Sequence, residues 1–290
     1  MQNKKASIQL PVAFTPQFLR KLGLQQIQAR RAYLGMRQGG HFSLKRGHGI
    51  EFDDYRKYEP GDDPRHIDYK LLARSDRTYI KRFREEQDLL IHIFIDTSAS
   101  MFLPKEKFER SKEVALSLAY IASTQYDRVQ LALPGLMSPK RYSGKSMIYQ
   151  IAADLNQLEL EPVDSYQHKL KAAIAAANFP GVGYFISDYL DDLEGVKSIF
   201  THLLGKNLDL KAVQILSAVE RDPTFTDSLL VEDVETAEQV ELQLDSNSLL
   251  EYRTLLDNHQ ESIAKFCSKR GISWQSFDLE TPLDLSLIHI

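Results

Sequence analysis

Residues 89–101, "LLIHIFIDTSASM", decide the fold. Residues 89–95 are apolar except for His92, which has the length and character of a strand buried on both faces. Such strands belong to parallel sheets with helices covering both sides. The run stops at Asp96, and serines follow at alternate positions, Ser98 and Ser100. Side chains of an extended segment alternate with period two, so Asp96, Ser98 and Ser100 share one side of the loop. One carboxylate and two hydroxyls form an all-oxygen, hard donor set, the kind that suits Mg²⁺ or Mn²⁺. By average composition a D-x-S-x-S arises by accident in about one chain in ten of this length, and the requirement for a preceding apolar strand cuts that several-fold. His92 reads as a core residue.

Outward from this run, short apolar stretches alternate with longer amphipathic ones. Further strands are expected at 129–133, 183–187, 211–216 and 272–277, and helices at about 105–125, 145–158, 166–178, 191–204 and 248–270. The pattern predicts a doubly wound α/β fold with a mostly parallel sheet. Ligands of such sheets bind outside the carboxyl ends of the strands. Asp188, the first residue after "GYFIS", is therefore a second carboxylate for the Asp96 loop, with an N-cap for the following helix as its alternative role. The last helix carries a capping-box pattern at Ser248 and Glu251, a helical repeat at Leu249, Leu256, Ile263 and Phe266, and Gly271 where a left-handed C-cap belongs. Residues at about 218–246 break the alternation and read as an inserted β-hairpin.

Residues 1–88 differ in kind: a β-rich extension, expected to lean on a main domain spanning 89–290. Asp63-Pro64 predicts a helix start running to about Arg74, and "TYIKRF" a strand. Arg56, Arg65, Arg74 and Arg82 lie among Asp54, Asp62, Asp63 and Asp68, with Tyr55, Tyr58 and Tyr69 between them. Two readings stand: ion pairs bracing the segment, or a partner-binding surface drawn from Arg56, Tyr58, Asp62, Asp63, Arg65, Tyr69 and Arg74. Nucleic-acid binding ranks third, because the interleaved acids repel phosphate.

The whole chain has 290 residues, 43% of them hydrophobic, with a formal net charge of −4. Residues 1–88 hold 18 Lys+Arg against 11 Asp+Glu, a split that fits an arm contacting nucleic acid or acidic protein or, as the interleaved acids favour, attraction between two parts of one chain. The single cysteine, Cys267, excludes an internal disulfide or a multi-cysteine metal site. No apolar run approaches the roughly 20 residues of a membrane span, and "MQNKKASIQL" lacks a signal-peptide core, so a cytoplasmic protein is expected. P-loop, G-x-G-x-x-G, G-x-S-x-G and H-E-x-x-H motifs are absent.

"DTSAS" at a strand end resembles the metal-ion-dependent adhesion site of von Willebrand factor A domains. With "RKYEPGDDPRHIDYKLLARSDRTYIKRFREEQ", "FISDY", "VEDVETAEQVEL" and Tyr252-Arg253, nearly the whole chain resembles the domain-of-unknown-function family 58. The resemblance implies a von Willebrand A, Rossmann-like fold and a non-catalytic adaptor. Such an adaptor works with a MoxR-type AAA+ ATPase in maturing or remodelling protein complexes, with ATP handled by the partner. It also implies a Mg²⁺ or Mn²⁺ held by Asp96, Ser98 and Ser100, with Asp188 more distant. The family's second loop usually offers a threonine. This chain has "EPVDSYQHKLKAAI" there, leaving Ser165 as the hydroxyl, with Asp164 beside it. The ion's open position awaits a Glu or Asp of a protein partner, so binding is expected to strengthen when the partner is bound. The enzymatic alternative is a Mg²⁺-dependent phosphohydrolase with Asp96 as nucleophile. Ser98 stands where such enzymes place a second carboxylate, which leaves no acid/base there.

Overall fold

In chain order the computed structural model contains α1 (Pro16–Leu22), β1 (Ile50–Lys57), α2 (Tyr69–Ser75), β2 (Tyr79–Glu85), β3 (Leu90–Ile95), α3 (Lys105–Thr124), β4 (Arg128–Leu131), β5 (Lys140–Tyr142), α4 (Met147–Leu155) and α5 (Val163–Ala176). It continues with β6 (Gly181–Ser187), α6 (Leu193–Leu204), β7 (Leu208–Leu216), α7 (Ala218–Arg221), β8 (Ser228–Glu232), β9 (Gln239–Gln243), α8 (Ser246–Arg270), β10 (Ser273–Asp278) and α9 (Leu283–Ser286). The structure describes residues 10–29, 50–62, 64, 67–75, 77–85, 89–133, 139–144, 146–158, 163–176, 180–223, 228–232, 239–243 and 246–286.

Six strands form a sheet in the order β10-β7-β6-β3-β4-β5, parallel throughout except for β4 against β5. From β3 the chain adds β4 and β5 on one side, then crosses to add β6, β7 and β10 on the other. The order therefore reverses between β3 and β6, the point at which sheets of this kind bind their ligands. Every residue of β3 is buried. Ile91, Ile93 and Ile95 enter a core with Val114 and Leu118 of α3 and Ile148 and Ile151 of α4. Phe94 enters a second core with Phe185 of β6, Leu170 of α5, Phe200 of α6 and Ile263 of α8. Each fully buried side chain of this size contributes about 1.5–3 kcal/mol, and a one-residue slip would exchange the two faces, so the register is strongly held. At Gly181, where β6 begins beside β3, a Cβ would lie 2.0 Å from the Leu90 carbonyl oxygen. Only glycine permits that approach.

The expected strands and helices of the main sheet are present, within a few residues at their ends. Four details differ. Tyr69, not Pro64, opens α2, because the Asp68 carboxylate accepts the amides of Lys70 and Leu71 and so caps the helix there. Asp63 lies outside the described residues. Helix α8 starts at Ser246, so Ser248 is inside it rather than its cap, while Gly271 does adopt the left-handed conformation with φ 71°. Residues 218–221 form α7, ahead of the antiparallel β8–β9 hairpin. The short elements α1, β5 and α9 carry too few residues to show a period.

The chain divides into two compact units, residues 1–33 with 89–290 and residues 34–88. The expected single extension over 1–88 is thus divided at residue 33. Phe18 and Leu22 of α1 are buried in the first core of the main unit, which accounts for its place there. In the smaller unit β1 and β2 pair antiparallel.

Candidate functional site

The loop after β3 is shaped by its own carboxylate. One Asp96 oxygen accepts the Ser98 amide at 2.8 Å and the other accepts the Ser187 hydroxyl at 2.6 Å. The Asp96 amide donates to the Ile186 carbonyl at 2.9 Å, so the ends of β3 and β6 are clasped together. The Ser98 and Ser100 hydroxyls lie 3.1 Å apart, brought together by the turn that begins at Ala99 rather than by the extended alternation expected. Asp96 and Ser98 are buried, and Ser100 is half-buried at the start of a 3₁₀ turn, Ala99–Phe102. The Ser187 hydroxyl also accepts the Tyr189 amide at 2.9 Å. Thr97 is fully buried, and among the described residues its hydroxyl has no hydrogen-bond partner.

Asp188 is not the cap of the next helix. Asp192 takes that role, accepting the amides of Glu194 and Gly195. Asp188 is instead buried and paired with Lys107, whose Nζ lies 2.8 Å from its Oδ2. The same Nζ lies 2.5 Å from Glu220 Oε1. The Lys107 side chain is 0% exposed, which a lysine tolerates only when its charge is met by partners. Glu220 is held from its other side: its Oε2 accepts the Ser217 amide at 2.8 Å and the Ser217 hydroxyl at 2.9 Å, within a capping box that opens α7. Tyr252 of α8 donates to the Glu220 carbonyl at 2.5 Å, and Arg253 pairs with Asp222. The Tyr189 hydroxyl, bonded to the Phe185 carbonyl, is pushed well above its ordinary range, first by burial and then by neighbours that include Asp96 and Asp188.

Three adjacent strands, β7, β6 and β3, therefore deliver Glu220, Asp188 and Asp96 to one edge of the sheet. Lys107, Ser187 and Glu220 were not singled out by sequence. Lys107 had a signal, since it falls on the stripe of α3 formed by Ser111, Val114, Leu118 and Ile121, all buried. Glu220 had another, as the last member of the Ser217-x-x-Glu220 pattern.

The donor set fits a hard divalent cation in part. Ser98 and Ser100 set two hydroxyl oxygens side by side, whereas both Asp96 oxygens accept protein hydrogen bonds and Asp188 is engaged by an ammonium. Among the described residues no group of three or more His, Cys, Asp or Glu gathers to hold a metal, so an ion here would depend on the serine hydroxyls. Ser165 lies in the first turn of α5, and its side chain is outside the described residues.

In the smaller unit Arg56 is paired with Asp62 at 2.7 Å, and this hydrogen bond holds the Asp62 carboxyl below its usual range. The Tyr58 amide donates to the Thr78 carbonyl; Tyr69 and Arg74 are exposed. Asp63 and Arg65 lie outside the described residues. No described helix is long and apolar enough to cross a membrane.

A family model described as "Protein of unknown function DUF58" matches residues 54–262. Uncharacterized proteins of Mycobacterium tuberculosis and Mycobacterium bovis are each 20% identical over 279 residues, covering 93% of this chain and 86% of theirs. Among solved structures, the chain is similar to an aerotolerance-related membrane protein from Bacteroides fragilis, with 12% identity and a TM-score of 0.36 over 69% of this chain and 96% of that one. It is also similar to the conserved hypothetical protein BatB from Bacteroides thetaiotaomicron, with 13% identity and a TM-score of 0.35 over 69% and 95%.

Proposed function

The chain belongs to the DUF58 family, and from that premise we propose that it is a non-catalytic interaction module of von Willebrand A type. It docks an acidic side chain of a partner through a cation at the Asp96 loop. A MoxR-type AAA+ ATPase is the partner class, and the cytoplasm the place of action. The carrying observation is the loop after β3, where the Ser98 and Ser100 hydroxyls stand side by side and the Ser98 amide bonds Asp96. A bare Asp96 repels a partner carboxylate, and Mg²⁺ reverses that sign. The surroundings support docking too. The segments leaving β3, β6 and β7 each expose a large apolar side chain: Leu103 at 61%, Leu190 at 36% and Val219 at 54%. In the smaller unit Tyr69 and Arg74 are exposed and available to a partner, while Arg56 and Asp62 are spent on each other.

The test is a Mn²⁺ titration followed by electron paramagnetic resonance on wild type and Asp96→Ala, with and without millimolar acetate as the partner's stand-in. Uptake of one ion by wild type, tighter with acetate and lost in the variant, is the expected result. Capture of a purified MoxR-type ATPase that survives both chelation and Asp96→Ala would overturn the reading.

A further inference from the structure

Lys107 is the most deeply enclosed charge at the sheet edge, and the docking role does not use it. Its ammonium holds the one carboxylate, Asp188, that a cation at the Asp96 loop would recruit from β6. An ammonium and a divalent ion repel each other, and both seek the same oxygens. We propose that Lys107 is an internal counter-ion that competes with a divalent cation for Asp188, so that the Asp96 loop takes up its ion only as Lys107 releases that carboxylate. This rests on the metal-docking reading above and concerns how that site is regulated.

The geometry provides for the exchange. Lys107 has two acceptors, Asp188 Oδ2 at 2.8 Å and Glu220 Oε1 at 2.5 Å. When Asp188 turns to an ion, the ammonium keeps Glu220, so no charge is left buried alone. Glu220 does not follow, because its Oε2 is held by the Ser217 amide and hydroxyl. Asp96 is already set in place by the Ser98 amide and the Ser187 hydroxyl, so Asp188 is the ligand whose partner must change. Lys107 also rides on the first turn of α3, the helix that follows the serine loop. A shift of that loop on partner binding would carry the ammonium with it, which makes uptake conditional on docking.

The experiment is a Mn²⁺ titration of the full chain, read by electron paramagnetic resonance, on wild type, Lys107→Met and the double variant Lys107→Met/Glu220→Gln. The double variant removes one positive and one negative charge, so the net charge at the site equals that of wild type while Asp188 Oδ2 loses its ammonium and Oδ1 keeps the Leu190 amide. It also leaves one carboxylate, not two, without the ammonium. The expected result is Mn²⁺ binding at least about tenfold tighter in the double variant than in wild type, the weight of one charge-assisted hydrogen bond. Equal affinity in wild type and double variant overturns the competition and leaves the docking site standing. Tighter binding in Lys107→Met alone also overturns it, by assigning the effect to net charge. No uptake by any of the three overturns both the competition and the metal reading. A second readout uses the wild-type chain: saturating Mg²⁺ is expected to shift the ¹⁵N signal of the Lys107 ammonium, and an unmoved signal refutes the exchange.

Discussion

Replacing Ser187 with alanine should unfasten β3 from β6 where the candidate site begins. The Ser187 hydroxyl donates to an Asp96 carboxylate oxygen at 2.6 Å and accepts the Tyr189 amide at 2.9 Å, and the residue is 3% exposed. A hydrogen bond to a charged group contributes about 1.5–3 kcal/mol, and a buried donor left without an acceptor costs about 1–3 kcal/mol. The two losses share one atom and are not additive, so we expect about 3 kcal/mol of destabilisation. For a unit of this size that lowers Tm by about 6–12 °C. The assay is urea unfolding followed by the fluorescence of Trp274, the single tryptophan, whose ring sits 5.1 Å from that of Tyr189 in the main unit. A cycle with Asp96→Asn isolates the pairwise part, which should exceed about 1 kcal/mol. A loss below about 1 kcal/mol at an unchanged denaturant slope would refute the claim that this clasp holds the site.

Leu22→Ala should lower the stability reported by Trp274 by about 2–5 kcal/mol, because Leu22 is 1% exposed in the first core; an unmoved transition would detach α1 from the main unit. Gly181→Ala should prevent recovery of folded protein, since its Cβ would meet the Leu90 carbonyl oxygen at 2.0 Å. Gly271→Ala, with open space but φ 71°, should cost only about 1–2 kcal/mol in urea unfolding. Wild-type-like melting of Gly181→Ala would show that the β6–β3 spacing is wrong. Burial pushes the Cys267 thiol up to about 12, so it should resist iodoacetamide at pH 8 in the folded chain. The raised value contributes stability that is present below the unfolded thiol's pKa of about 8.5 and is lost as pH rises from there toward 12. Labelling at the rate of a free thiol would contradict the burial.

The alternation of sheet and helix, the buried strand β3 and the positions of Asp96 and Asp188 at strand ends are local facts. Each follows from a period or from the point where an apolar run stops, and both kinds of signal lie within a few consecutive residues. The Ser98 and Ser100 hydroxyls meet across the start of a 3₁₀ turn, a geometry that the alternation of an extended segment does not describe. The fate of Asp188 was not local. As a cap or as a site residue it has the same neighbours in the chain, and the choice fell to Asp192, which left Asp188 for Lys107. The triad of Lys107, Asp188 and Glu220 joins residues far apart in the chain, and it exists because β7, β6 and β3 lie side by side in that order. Periodicity tells which face a side chain takes but not which strand lies next to it. The same holds for Leu22, a single apolar residue in a short helix, whose burial depends on where α3 passes. Strand order and helix placement come from burying two continuous cores at once, a property of the whole chain. They turned a carboxylate that the sequence marked as a metal ligand into one already held by a buried ammonium.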